Sequence, residues 1–335
     1  MRLGIVGLRH FHAHELVQGL RSQPGVELIG IAEDDDAVFA SEGQRYGAPR
    51  FTDWRVMLDQ EKPDIVGVVN VPGLRGKVIA ECLRRGISVL ADKPLCVTFA
   101  ELEEIRAALA ASPATLFLLL TERYNPPTYT LKRLVDEGKL GRVFSFTSFR
   151  PHKLMRAMRP GWFWHRETYG GIIVDLTVHD VDVFHWVTGL KGEEIYASHT
   201  NLTCPEAVNF EDAGHFFLKA EGGVTGLFRT DWLTPDGELT HGDCRYFVAG
   251  TLGHAEVRTT GGFPGQTGGG LRLVTNAAPP TEVALLEPEH TIYEDFLAAV
   301  NGAKPAISAE EILHATELTL RARESADAGR PIRLG

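Results

Sequence analysis

The sequence predicts two domains: an α/β domain on a doubly wound parallel sheet, then an α+β domain whose sheet is largely antiparallel. Three observations predict this. Short, almost wholly apolar runs alternate with helix-like stretches through the first third of the chain. After Thr121 the strand-like runs follow one another with only one strong helix among them. A length of 335 residues also exceeds what one small core needs. The boundary is expected between residues 122 and 123, dividing the chain into 1–122 and 123–335.

The first domain opens on Leu3-Gly4-Ile5-Val6-Gly7, a strand, followed by Ala13, Leu16, Val17 and Leu20 at helical spacing. Pro24-Gly25 ends that helix. Residues 26–32, 65–69, 88–91 and 115–120 repeat the strand half, each after a helix-like stretch. Strands this apolar are buried on both faces, which is the signature of a parallel sheet. Thr98-x-x-Glu101 is a capping box before a helix over 99–110.

In the second domain the strand candidates are 143–150, 194–203, 214–219, 224–232 and 245–250, with Glu221-Gly222-Gly223 as a hairpin turn. The glycine-rich run 261–270 reads as a mobile hairpin loop, because no helix follows it to cradle a phosphate. Two helices close the chain, over 291–300 and after the capping box Ser308-x-x-Glu311.

Composition excludes several classes of function. The net charge of −10, from 44 acidic against 34 basic residues, makes nucleic acid and anionic membranes poor partners. Cys82, Cys96, Cys204 and Cys244 show no C-x-x-C spacing and read as reduced structural thiols. The longest apolar run, 114–120, is far short of a bilayer span, and a cytoplasmic protein is expected.

The first strand-to-helix turn is Gly7-Leu8-Arg9-His10-Phe11-His12, which keeps only the first glycine of the dinucleotide pattern G-x-G-x-x-G. Glu33 ends the second strand and can accept the hydroxyls of an adenosine ribose. Three aspartates follow it and would repel a 2′-phosphate, so NAD is favoured over NADP. Arg9 either pairs with the pyrophosphate or occupies its space. His10, His12 and His14 invite a metal reading, with His10 and His14 one helical turn apart. No carboxylate or cysteine nearby in sequence completes a ligand set, and no metal is expected.

Asp92-Lys93-Pro94 closes a βα pattern, and Gly170-Gly171 opens an apolar helix on which Asp175, His179, Asp182 and Trp186 share one face. Lys93 stands at the carboxyl end of a parallel sheet, where ligands bind, and its ammonium can stabilise a developing alkoxide. His179 can take a hydroxyl proton as hydride leaves the same carbon, with Asp182 or Asp175 holding the useful tautomer. The alternative is a self-satisfied internal network without chemistry. Arg150, His152, Trp162, Trp164 and His165 precede this helix and are candidate substrate contacts or packing anchors.

These residues resemble the Gfo/Idh/MocA oxidoreductase family across nearly the whole chain. Asp92-Lys93-Pro94-Leu95 resembles its E/D-K-P-L motif. Gly170-Gly171, Asp175-Leu176 and His179-x-x-Asp182 resemble its G-G-G-x-x-x-D-x-G-x-H-x-x-D segment, with Ile172 and Thr177 where glycine is common. The resemblance implies a dinucleotide-binding Rossmann domain and a substrate-binding domain with an open-faced sheet that commonly supports dimers or tetramers. It implies that Lys93 touches substrate and nicotinamide ribose, Asp175 orients substrate, and His179 is the acid/base. Gly7 to His12, Glu33, Asn70, Val71, Pro72 and Asp92 would lie along the cofactor. Val71-Pro72-Gly73-Leu74-Arg75-Gly76 keeps only the proline of the family's T-P-N-x-x-H.

The implied function is an NAD-dependent dehydrogenase oxidising a secondary alcohol of a sugar, polyol or related hydroxylated ring. Two alternatives stand beside it: a glycosidase using NAD for transient oxidation, and a non-catalytic dinucleotide- or sugar-binding regulator.

Overall fold

The computed structural model describes residues 1–263 and 268–335, so the 264–267 part of the glycine-rich run lies outside the described residues. The chain forms two compact units. The first comprises Met1–Leu119, Pro160–Gly170 and His290–Glu317; the second comprises Leu120–Arg159, Gly171–Glu289 and Leu318–Gly335. These units interleave along the chain, where the sequence suggested a single cut after residue 122.

In the first unit the strands are β1 (Arg2–Val6), β2 (Glu27–Ala32), β3 (Arg50–Phe51), β4 (Ile65–Val68), β5 (Ser88–Ala91) and β6 (Leu116–Leu118). They form a parallel sheet in the order β3-β2-β1-β4-β5-β6. Strand order reverses between β1 and β4, the crevice where such sheets bind ligands. All four residues of β4 and of β5 are buried, as strands covered on both faces require. The helix Ile292–Val300 belongs to this unit because Phe296 packs on Phe117 with ring centroids 5.5 Å apart. A Cβ on Gly19 would fall 2.1 Å from the Tyr293 ring, so glycine is what lets that ring approach.

The helix Phe99–Ala110 begins at the expected cap: Glu101 N–H donates to the Thr98 hydroxyl, and the Glu101 carboxylate accepts from Thr98 N–H. Thr98→Ala should cost about 1 kcal/mol in chemical denaturation. A loss under a few tenths would mean the helix start is held by packing alone.

The second unit carries β7 (Val143–Pro151), β8 (Gly192–Thr200), β9 (Ala213–Ala220), β10 (Thr225–Asp231), β11 (Arg245–Gly250), β12 (Gly253–Arg258), β13 (Gly270–Thr275), β14 (Ala278–Glu282) and β15 (Ile332–Arg333). Their order is β14-β13-β12-β11-β7-β10-β9-β8-β15, antiparallel except between β7 and β10. The β9–β10 hairpin turns at Gly222 and Gly223, both at positive φ. One face of the sheet is core: Phe146, Phe216, Phe228 and Tyr246 are buried, and Phe184 packs on Phe146 at 5.7 Å. On the opposite face Tyr196, Phe217, Leu227 and Phe247 stay exposed. Register puts Tyr196 beside Phe217 and Phe217 beside Leu227, so they form a continuous apolar row.

Candidate active site

In the first unit the turn after β1 depends on Gly7. Its φ is +82°, and a Cβ there would sit 2.3 Å from Asn70 Cα, so only glycine lets the turn lie against the end of β4. The helix starts at Ala13, leaving His10 and His12 in the turn, so the expected His10–His14 helical pair does not form. His14 Nδ1 instead lies 3.1 Å from the Tyr46 hydroxyl.

His10 and His12 converge on Asp92, each Nδ1 lying 2.8 Å from a different carboxylate oxygen. Lys93 N–H donates to the same carboxylate, and Arg75 lies 3.5 Å away. Arg75 is fully buried and donates to the carbonyls of Asn70, Asp92 and Pro94, tying the ends of β4 and β5 together. Two histidines and a carboxylate thus stand within 4.8 Å, a set the sequence spacing did not reveal because Asp92 is eighty residues on. With Arg75 already against Asp92, and with the Lys93 charge opposing a positive His10, the cluster is matched in charge without a cation.

Burial lowers the pKa of His10 to about 4, against the opposing pull of Asp92. Burial also works against ionising Asp92, but the facing His10 and His12 outweigh it and hold this carboxyl well below its usual range. A neutral His10 therefore donates to an ionised Asp92 at neutral pH.

Glu33, buried, is held by three donors: Leu8 N–H at 2.9 Å on one oxygen, and Arg9 Nε at 2.9 Å with Asp35 N–H at 3.0 Å on the other. Arg9 also pairs with Asp34. The Arg9 guanidinium bridges two carboxylates. Beside them lies a cavity of about 390 Å³, lined by Gly7, Arg9, Glu33, Asp34, Asn70 and Val71 together with residues 52–55 at the start of the helix Trp54–Glu61. Asn70 Oδ1 is buried with no hydrogen-bond partner among the described residues. That orphaned acceptor, the space beside it and the glycine that admits a close backbone approach fit a dinucleotide.

In the second unit the expected single helix is two, Ile172–Leu176 and Val178–Thr188, separated at Thr177, whose hydroxyl donates back to Ile173 O at 2.5 Å. Asp175 lies on the first piece, and His179 and Asp182 on the second. All three side chains are buried. Asp182 forms a two-pronged pair with Arg123, Nε to Oδ2 at 2.9 Å and Nη2 to Oδ1 at 2.5 Å. The Asp182 carboxylate thereby anchors the helix to the 121–124 turn.

Arg150, a candidate substrate contact by its place in the sequence, is held by side chains of its own unit. It is buried among Asp180 at 2.7 Å, Glu122 at 3.0 Å and the Tyr246 hydroxyl at 2.6 Å. Burial alone would depress its pKa, but Asp180, Tyr246 and Glu122 hold it well above the usual value. His152 packs against His241 and Trp232 at 4.9 and 5.7 Å. In the first unit Trp162 comes within 6.0 Å of His10, Trp164 edges onto Phe163, and His165 is exposed.

Comparison with known proteins matches residues 1–119 to an oxidoreductase family with an NAD-binding Rossmann fold, and residues 128–256 to the GFO/IDH/MocA C-terminal domain. The chain belongs to the Gfo/Idh/MocA family. Family members similar to it include a solved oxidoreductase structure from Thermotoga maritima, 30% identical with a TM-score of 0.89 and all of both chains covered. D-apiose dehydrogenase of Paraburkholderia graminis is 22% identical over 99% of this chain and 88% of its own. The scyllo-inositol 2-dehydrogenase (NAD(+)) of Bacillus subtilis is 23% identical over 77% and 72%. Among the described residues no helix is long and apolar enough to cross a membrane.

Within the Gfo/Idh/MocA frame, Arg75, Arg123, Asp180 and Tyr246 are what sequence reasoning missed. Isolated charges read as surface, and only the fold shows which are buried. The His10 environment makes a testable signature. Its folded pKa of about 4 lies below the ordinary 6.5, so the unfolded chain binds more protons between these values and stability falls as pH drops through that window. Asp92, held below the window, keeps its charge throughout. His10→Gln should flatten the stability–pH slope by up to about 1.4 kcal/mol per pH unit. An unchanged slope would show that His10 titrates normally in the folded protein.

Proposed function

We propose that this protein oxidises a secondary alcohol of a sugar or polyol with NAD, the hydride going to the nicotinamide. The observation that carries the reading is the cavity beside a glycine-admitted turn, with its orphaned Asn70 acceptor and, after the neighbouring strand, the anchored Asp92-Lys93-Pro94 segment. The names of its dehydrogenase relatives support the substrate class. A TM-score of 0.82 to GenD2, solved in complex with NAD, supports the match of the dinucleotide to this fold.

NAD supplies the hydride acceptor when bound. Lys93 stabilises the alkoxide as the hydroxyl loses its proton. Asp175 orients the hydroxyl, and the imidazole of His179 takes the proton. Asp92, with Arg75 behind it, fixes the backbone from which Lys93 projects. The exposed row Tyr196-Phe217-Leu227 is the surface we assign to a homodimer or homotetramer. Phe217→Glu should shift sedimentation velocity from the oligomer to the monomer; a wild-type chain already monomeric would remove that assignment.

The activity is tested by incubating the purified protein with NAD and a panel of inositols, other polyols and aldoses while following reduced nicotinamide by absorbance. Reduction with at least one compound is expected. Bound NAD with no reduction across the panel would overturn the alcohol-dehydrogenase reading.

A further inference from the structure

The sequence points to Glu33 as the reader of the adenosine ribose, yet the structure spends that side chain on the fold. A carboxylate offers about four lone-pair sites. Three of those on Glu33 are taken by Leu8 N–H, Arg9 Nε and Asp35 N–H, and its side chain is 1% exposed. Asp34 differs in each respect. It lines the same cavity, its side chain is 73% exposed, and Arg9 is its partner.

We infer that Asp34, not Glu33, reads the adenosine ribose, and that Arg9, bridging the two carboxylates, makes the site prefer a free 2′-hydroxyl to a 2′-phosphate. This rests on the NAD reading above. Glu33 is the fixed post: Arg9 hangs from it through Nε, and its terminal nitrogen reaches Asp34. In that arrangement one guanidinium faces two carboxylates, and the net negative charge repels a phosphate. Asp34 keeps acceptor sites for the ribose hydroxyls, while Arg9 limits where its carboxylate can point.

The Arg9–Asp34 end is solvent-exposed and weakly held, as such pairs are. Without Asp34, Arg9 stays on Glu33 through Nε, and its terminal nitrogens turn to whatever anion enters. A 2′-phosphate is well suited to such a fork. Asp34 thus decides which dinucleotide Arg9 opposes or welcomes. Lys77 also lines the cavity and has no ion-pair partner among the described residues, so it is the competing source of attraction.

Calorimetric titration of wild type, Asp34→Ala, Arg9→Ala/Asp34→Ala and Glu33→Gln with NAD and NADP tests this. Asp34→Ala should weaken NAD and strengthen NADP, moving the ratio of the two dissociation constants roughly tenfold or more toward NADP. The double variant should lose the NADP gain. Glu33→Gln should lower the melting temperature more than it moves the ratio. A ratio within about threefold of wild type in Asp34→Ala, or a larger change in Glu33→Gln, would overturn Asp34 as the reader. An NADP gain that survives removal of Arg9 would transfer the role to Lys77. Wild type binding neither nucleotide would overturn the NAD reading as well; binding without the shift would overturn this inference alone.

Discussion

His179→Asn should cut turnover by about 10²–10⁴-fold while leaving the dissociation constant for NAD within about twofold. The imidazole is the group assigned to take the alcohol proton, and asparagine keeps a polar amide of similar reach without a titratable nitrogen. The helix that carries it should survive the change. Its hold on the protein comes from Asp180 and Asp182, which pair with Arg150 and Arg123. A thermal melt matching wild type would assign the loss to chemistry. Turnover unchanged at saturating substrate would remove His179 from the acid/base role and leave it a residue of the internal network.

Arg150→Ala should destabilise the protein by about 3–5 kcal/mol. Arg150 faces two buried carboxylates, Asp180 and Glu122, as well as the Tyr246 hydroxyl. Removing the guanidinium strands both charges in an apolar interior, which costs more than the pair contributed. Burial already pushes the Tyr246 hydroxyl pKa well above normal despite the arginine beside it, so the tyrosine offers no negative charge to replace. Urea denaturation measures the loss. A variant within about 1 kcal/mol of wild type but with a raised KM would return Arg150 to the substrate-contact role that its position in the sequence suggested.

How far the sequence reached depended on whether the signal was local. The strands β1, β2, β4, β5 and β6 were legible within a residue or two, because burial on both faces leaves nearly continuous apolar runs. The caps at Thr98 and Ser308 were legible because a capping box is written in four consecutive residues. β3 escaped notice because two residues at a sheet edge carry no periodicity. β14 holds Pro279 and Pro280 and is exposed throughout; proline there argues against a strand unless the strand is an edge, and its edge position is a fact of topology.

The site divides in the same way. Lys93, Asp175 and His179 stood out through motif spacing, and Gly7 through its place after β1. Asp92 as the partner of both turn histidines, Arg75 at the ends of β4 and β5, and Arg123 on Asp182 all join residues dozens of positions apart. Such pairs exist only once the chain has folded. The pairs of Arg150 with Glu122 and Asp180 are of the same kind.

The central claim is that the turn at Gly7–His12, short of two glycines, still holds NAD. The most direct test releases and identifies any nucleotide from a denatured sample of the purified protein, then titrates the nucleotide-free protein with NAD in a calorimeter. Saturable one-to-one binding of NAD, or its release from the purified protein, is the predicted result. Neither release nor binding of any dinucleotide would contradict the account at its first step and favour a regulator built on the same fold.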